Sequence, residues 1–455
     1  MEYIISDQCS KIETDDIFTL YNWENAQEVH LKKNQVKTFT DNKISFVHDF
    51  ESKNIEYLLR NHFICEKYSE NEIEQRLQKV IENTRGTTKI TLMPSGYQCN
   101  FRCKYCYESH DKKVEYGEKE HNYFVQYVKS LKGKIVIDFF GGEPLLNYKW
   151  IKNLITAINR DDALKRVRYS MTTNGYLLNK ERISFLINAG VRTFQITVDG
   201  LEETHNELRV LKNGGGSWSR IIENLKIFKN FDGMFKVILR INYNSTSLDK
   251  EKLLKLLDIL SFAKEDVRFK FIFREIGDYS GINSSLEKYR DANKISLKRG
   301  NAFLTMFEYL NTILDNGFFS GDVELLTTPA GIVCYAAFPQ NIAVNGEGDI
   351  LRCTVAVDQN YNNFGKIDYS DDCNRMQLDD YKTLEWEKGL KRDKKCYKCK
   401  LLYQCLGMNC PVKNIANNSS ICPPIALYSN NILELVVKQK KLLKTVLNRH
   451  INKES

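Results

Sequence analysis

The sequence predicts an α/β fold: a partial (β/α)6 barrel with a small N-terminal α+β domain before it and a cysteine-rich extension behind it. Three observations predict this. From Lys89 onward six β-rich runs alternate with helix-period segments, thirteen cysteines occur in a chain without an export signal, and most of them crowd into residues 99–106 and 334–422.

The runs are KITLMP (89–94), KIVIDFF (134–140), VRYSMTT (167–173), TFQITVD (193–199), KVILRINY (236–243) and RFKFIFRE (268–275). Between them lie stretches such as KERISFLINAG and WSRIIENLKIFKN, whose apolar residues recur at three and four positions. Six strand and helix pairs in succession give a parallel sheet with right-handed crossovers, an open or partly closed barrel over 89–292. Ligands in such sheets sit at the carboxyl ends of the strands. Residues 1–88 read as short strands (YII, FTLYNW, EVHLKK, ISFVH) followed by helices around Lys53 to Arg60 and Glu70 to Asn83, either a winged-helix-like recognition unit or a cap on the barrel. A bridging helix near Asn301 to Leu314 and a linker fill 293–333. The cysteine-dense region spans 334–430, and a basic amphipathic helix closes the chain over 431–455.

A length of 455 residues points to two or three domains. With 42% apolar and 27% charged residues, the composition excludes a disordered chain, and no stretch reaches the roughly 18 apolar residues of a membrane span. The first thirty residues lack a basic segment followed by an apolar core, so the expected compartment is the cytoplasm. Lys+Arg 66 against Asp+Glu 58 leaves +8, a mild excess that does not argue for nucleic acid. Cytosolic thiols stay reduced, so clustered cysteines read as metal or cluster ligands rather than disulfides.

Cys99, Cys103 and Cys106 stand in CNFRCKYCY directly after the first barrel strand. A loop there can wrap three thiolates around one side of an inorganic cluster; a zinc site or three stray thiols is the plainer alternative. The motif resembles the CxxxCxxC signature of radical S-adenosylmethionine (radical SAM) enzymes, with an aromatic residue on each side of the last cysteine. The resemblance implies a [4Fe-4S] cluster held by three cysteines where electron-transfer clusters use four. Its free iron then takes S-adenosylmethionine, and one electron from an external donor such as flavodoxin or ferredoxin yields a 5′-deoxyadenosyl radical.

Later segments match the family in order. Gly141, Gly142, Glu143 and Pro144 end the second strand like its GGEP motif, where glycines admit the backbone and the Glu region meets the methionine amino group. SMTTNG places Ser170, Thr173 and Asn174 as hydrogen-bonding partners for ribose or carboxylate oxygens; an Asn-Gly turn is the alternative. QITVDG brings Asp199 to the same mouth, followed by His205 and Arg209, which divide evenly between cofactor contact and loop structure; Arg240 is a weaker candidate. NGGGSW (213–218) lacks the Lys of a phosphate loop and reads as a flexible connection.

Cys334, Gly348 and Cys353, then Cys396, Cys399, Cys405, Cys410 and Cys422, resemble the SPASM extension of a subset of these enzymes. One departure is CLGMNC, with four residues before Cys410 where the family usually has three. Carried over by position, Cys396, Cys399, Cys405 and Cys422 hold one auxiliary [4Fe-4S] cluster, and Cys334, Cys353 and Cys410 hold a second, three clusters in all. The second set lacks a ligand, so either Cys373 completes it or an iron is open. Zinc ribbons are the alternative. Cys9 and Cys65 read as buried structural cysteines.

Within the resemblance, two activities compete: modification of a ribosomally made precursor peptide with a leader sequence, and maturation of a sulfatase by formylglycine formation. Sulfatase maturases place an Asp base directly after the cysteine equivalent to Cys353, whereas here Thr354 follows. With the extra N-terminal unit, this favours an oxidoreductase acting on peptides. The short ligand count motivates the sharper expectation of a thioether cross-link, a substrate thiolate binding the open iron and capturing a carbon radical. The other class is a non-catalytic zinc-ribbon protein on nucleic acid, which iron, sulfide and zinc content would separate; no stacking platform supports it.

Overall fold

The computed structural model describes residues 2–40, 42–67, 69–108, 110, 114–244, 246–276, 299–357, 359–369, 376–388, 390, 392–408, 410–412, 414, 422–423, 425 and 429–454. It divides into two compact units, one of residues 1–85, 323–337 and 386–437, the other of residues 86–322, 338–385 and 438–455.

Among the described residues of the first unit seven strands form two antiparallel sheets. They are β1 (Glu2–Ile5), β2 (Cys9–Glu13), β3 (Ile17–Asn22), β4 (Gln27–Lys32), β5 (Val36–Phe39), β6 (Lys43–Phe46) and β7 (Ile64–Cys65). One sheet has the order β5-β6-β1-β7 and the other β2-β3-β4. Helices α1 (Ser52–Arg60) and α2 (Glu70–Arg85) lie where helical periodicity placed them. Strands β2 and β5 carry polar, non-alternating stretches and gave no signal in the sequence. Cys9 is buried in the apolar core of this unit with Leu20, Ile44, Leu58 and Phe63, and Cys65 is half-buried.

The second unit contains the expected barrel. Strands β8 (Thr87–Leu92), β10 (Lys134–Phe139), β11 (Val167–Thr173), β12 (Val191–Thr197), β14 (Lys236–Tyr243) and β15 (Phe269–Glu275) pair in parallel and in chain order. Two-residue alternation explains the layering. Ile135, Ile137, Phe139 of β10 and Phe269, Phe271, Phe273 of β15 are buried toward the helical layer, each contributing roughly 1.5–3 kcal/mol. The opposite face carries polar side chains, Asp138, Ser170, Gln195, Arg240 and Lys270 among them. Asn179 and Asp249 accept the N–H groups of Arg182 (2.9 Å) and Lys252 (2.8 Å) and so start two of the crossover helices.

The sheet is wider than the six runs. It continues from β8 through β17 (Ile342–Val344), β18 (Asp349–Leu351), β19 (Asn363–Ile367) and β20 (Met376–Leu378), and beyond β15 through β16 (Phe319–Ser320). All of these but β19 have two or three residues, too few to show a period in the sequence. The helix near Asn301 is Arg299–Asp315, and the C-terminal amphipathic stretch lies in a helix over Ser429–Glu454. Among the described residues no helix is long and apolar enough to cross a membrane.

Asp266 opens the last barrel strand. Its carboxylate accepts from Arg268 Nε (2.9 Å) and Nη2 (2.7 Å), from the Arg268 amide (3.0 Å) and from Lys229 Nζ (2.7 Å). Burial pushes its pKa up, but these donors outweigh it and bring it down to about 2. The stabilisation is therefore complete above the ordinary carboxylate range and is lost as the pH falls from about 4 through about 2. Asp266→Asn should cost about 1–2 kcal/mol at pH 7, and the difference from wild type should vanish near pH 2 in urea titrations.

Candidate active site

The three-cysteine loop lies beyond the carboxyl end of β8. Its middle is a short strand, β9 (Phe101–Cys103), laid antiparallel on β13 (Arg209–Leu211), with Cys103 opposite Arg209. Lys104 N–H donates to the Leu208 carbonyl (2.9 Å) and Cys106 N–H to the Cys103 carbonyl (3.1 Å), which curls the chain so that the thiols approach one another. Burial leads the upward shift of each thiol, and the charge of a neighbouring thiol adds to it at Cys99 and Cys106. Burial pushes Cys99 up to about 12 and Cys103 and Cys106 upward as well; Arg209 opposes the shift at Cys103. Bound iron would reverse this, since a coordinating thiol is deprotonated.

The GGEP turn closes one side. Gly141 and Gly142 adopt φ of 79° and 50°, and a Cβ on Gly142 would run into the Gln98 carbonyl. Gly142 N–H donates to Glu108 Oε2 (2.7 Å), and Glu143 N–H to the Gln98 carbonyl (2.8 Å). The Glu143 carboxylate is fully buried and accepts from Leu145 N (3.1 Å), Thr173 Oγ1 (2.7 Å) and Asn174 N (2.7 Å). Burial raises its pKa against those three donors. Glu143 thus binds the second strand end to the third. Asn174 donates to Asn100 Oδ1 (2.8 Å) and lies 3.8 Å from Cys99 Sγ, so Glu143, Thr173, Asn174 and the cysteine loop form one connected group. Ser170 is placed apart from it, three residues before Thr173 on β11, donating to Asp138 Oδ1 (2.5 Å), which Lys89 pairs at 3.0 Å.

Asp199 is 1% exposed. Its Oδ1 accepts from Asn242 N (2.8 Å) and Nδ2 (3.1 Å), and its Oδ2 accepts from the Tyr105 hydroxyl. Arg209 Nη1 donates to that hydroxyl (3.0 Å) and lies 3.9 Å from Asp199 Oδ2, while its guanidinium sits 5.3 Å from the Phe101 ring. Burial raises the Asp199 pKa in spite of Arg209; Arg209 remains charged because Tyr105, Cys103 and Asp199 outweigh its own burial. His205 is buried and both ring nitrogens face protein partners. It accepts from Asp199 N–H at Nδ1 (3.1 Å), faces Ser217 Oγ through Nε2 (3.2 Å), and burial holds its pKa well below the usual imidazole range. Arg240 Nε donates to Asn242 Oδ1 (2.8 Å). The 213–218 stretch is a loop whose end is capped by Asn206, accepting from Ser217 N (2.9 Å) and Trp218 N (3.1 Å).

Sequence reasoning missed Asn100, Tyr105, Glu108 and Asn242. A tyrosine inside the cysteine motif and an asparagine at the end of a barrel strand were the available signals.

Of the second array, Cys396, Cys399, Cys405 and Cys422 lie in the first unit and interact electrostatically. Burial leads the upward shift of Cys396, Cys399 and Cys405, the last to about 12, and Cys422 adds charge to each. The same unit braces this segment. Glu74 Oε2 accepts from Tyr397 OH (2.7 Å) and Arg392 Nη1 (2.5 Å), Gln8 Nε2 donates to the Tyr397 carbonyl (2.9 Å), Arg76 Nε to Tyr403 OH (3.1 Å), and Gln404 Nε2 to the Trp23 carbonyl. Cys334 and Cys410 belong to this unit and Cys353 to the other. Cys353 sits in a turn held by Asn362, whose Oδ1 accepts its N–H (2.8 Å) and whose Nδ2 donates to its carbonyl (2.7 Å). Thr354 beside it is buried. Cys373 lies outside the described residues. Among the described residues no three His, Cys, Asp or Glu side chains converge closely enough to hold a single metal ion.

The donors fit the groups that the resemblance implies. Three adjoining thiols suit a cluster, whose thiolates go to separate irons. Arg209 Nε is buried without a hydrogen-bond partner among the described residues, a cationic donor left over for an anionic group such as the carboxylate of S-adenosylmethionine.

Comparison with known proteins agrees. The chain is 27% identical over 317 residues to the radical SAM cyclopropyl synthase TigE of Paramaledivibacter caminithermalis, covering 63% of this chain and 61% of that one. It is 27% identical over 192 residues to a cysteine-type anaerobic sulfatase-maturating enzyme of Clostridium novyi, covering 40% and 49%. It thus spans less than two thirds of either enzyme. The solved structure of native anSMEcpe with bound AdoMet and Cp18Cys peptide has a similar fold, with TM-score 0.58 and 18% identity over 80% of this chain and 99% of that one. Residues 93–257 match the radical SAM superfamily, and with the six-stranded parallel barrel and its three-cysteine loop they are a radical SAM domain.

Proposed function

We propose that the chain is a peptide maturase that cleaves S-adenosylmethionine reductively and forms a thioether in a ribosomally made precursor peptide. When bound, the [4Fe-4S] cluster and S-adenosylmethionine supply a 5′-deoxyadenosyl radical. Cys99, Cys103 and Cys106 would hold that cluster, and Gly141, Gly142, Glu143, Thr173, Asn174, Asp199 and Arg209 would surround the cofactor. Ser170 would complete the set from further down the barrel face. Cys396, Cys399, Cys405 and Cys422 would hold one auxiliary cluster, and Cys334, Cys353 and Cys410 a second. A small redox protein such as flavodoxin or ferredoxin would deliver the electron in the cytoplasm.

The observation that carries this reading is that Cys396, Cys399 and Cys405 of the first unit each feel the charge of Cys422, while the second unit carries the three-cysteine loop. The peptide bound in anSMEcpe supports the substrate class. Buried, neutral Thr354 supports a peptide maturase over a sulfatase maturase, for it offers no proton acceptor beside Cys353.

Thioether formation joins a cysteine sulfur to a carbon and removes one S–H and one C–H hydrogen. The product is two hydrogens lighter and lacks one thiol that iodoacetamide can alkylate. Closure of a carbon ring, the chemistry named for TigE, also removes two hydrogens but spares the thiol. Formylglycine formation from cysteine removes the sulfur. Co-expression with a cysteine-containing peptide encoded beside the gene, followed by mass spectrometry with and without alkylation, should give the first pattern. Either of the other two patterns, or an unchanged peptide, would contradict it.

A further inference from the structure

We propose that Tyr105 is a positioning residue, whose hydroxyl keeps Arg209 and Asp199 apart and so holds the Arg209 guanidinium available to the cofactor. The inference rests on the radical SAM reading and goes beyond it, because that reading gives the Tyr105 hydroxyl no role.

The hydroxyl has one proton to give and two lone pairs, and all are used. It donates to Asp199 Oδ2 and accepts from Arg209 Nη1 and Asn242 Nδ2, each at 3.0 Å. Its partners come from three places, the end of β12, the start of β13 and β14. All three are buried, at 1%, 5% and 6% exposure. The Arg209 and Asp199 charges stop at 3.9 Å with the phenol oxygen bonded to both. Opposite charges in so dry a place attract strongly, so what prevents closer approach is the hydroxyl itself. With Nη1 committed to Tyr105, Nε is left over, buried and without a partner among the described residues.

Replacing Tyr105 by Phe keeps the ring and removes that spacer. Arg209 then closes onto Asp199 and turns away from the cofactor, while the β9–β13 ladder still holds the cysteines. The loss of a hydrogen bond from a charged donor corresponds to about a tenfold rise in the dissociation constant.

The test uses full-length protein, anaerobically reconstituted, with S-adenosylmethionine as the probe. Tyr105→Phe should retain wild-type iron and sulfide, bind S-adenosylmethionine about tenfold more weakly, and show a smaller cofactor-induced change in the electron paramagnetic resonance spectrum of the reduced cluster. Asn242→Ala, which removes one donor to the same hydroxyl and no charge, should shift both readouts in the same direction by less. Wild-type affinity and spectrum in Tyr105→Phe would overturn the inference. So would loss of its iron, which would mean that the hydroxyl serves the cluster rather than the cofactor. Wild-type protein that binds no S-adenosylmethionine would instead overturn the radical SAM reading itself.

Discussion

Cys103→Ala should abolish 5′-deoxyadenosine formation, a fall of at least about a thousandfold to the uncatalysed background. The residue is the central member of its loop, pinned to β13 on one side and bonded through its carbonyl to Cys106 on the other. With two thiolates left the cluster loses an anchor, and the buried Arg209 charge loses a neighbour that helps to hold it. Reconstituted Cys103→Ala should lack the iron of one proposed cluster and keep that of the cluster proposed on Cys396, Cys399, Cys405 and Cys422, which lie in a separate compact unit. Iron analysis beside chromatography of the nucleoside products checks both halves. A variant with full iron and undiminished deoxyadenosine would remove Cys103 from the site.

Asp199→Ala should be among the most damaging substitutions for stability in the barrel, at about 3–5 kcal/mol, because it leaves a buried guanidinium without its counter-charge. The Asn242 amide and side chain lose their acceptor at the same time. Asp199→Asn keeps an oxygen for Asn242 and should cost less. Urea titration of the two variants beside wild type measures the difference. A cost below about 1 kcal/mol for Asp199→Ala would mean that Arg209 finds another partner or reaches water.

The barrel was readable because each of its six strands carries β-branched and aromatic residues at a period of two over six or more residues, and each is followed by an amphipathic helix. The same rule hid β17, β18 and β20, three residues each, and the β9–β13 ladder that carries the cysteines, since three residues contain no period. The cysteines themselves were found from spacing, which is local in sequence. Their surroundings were not, because those depend on which strand ends meet. The Glu region of the GGEP motif was expected at the methionine amino group, and the Glu143 carboxylate itself accepts from Leu145, Thr173 and Asn174. Its sequence neighbours gave no hint that the third strand would supply those donors. His205 is a buried ring that joins the Asp199 backbone to Ser217. Tyr105 depends on Asp199, Arg209 and Asn242, residues about a hundred positions away or more. No local pattern reports such a contact.

The most direct measurement is made on wild-type protein, prepared without oxygen, loaded with iron and sulfide, and given dithionite and S-adenosylmethionine. 5′-Deoxyadenosine and methionine in equal amounts, formed only when the reductant is present, are the expected products. Protein that carries its iron yet returns S-adenosylmethionine intact under those conditions would contradict the assignment of Cys99, Cys103 and Cys106 to a radical-generating centre.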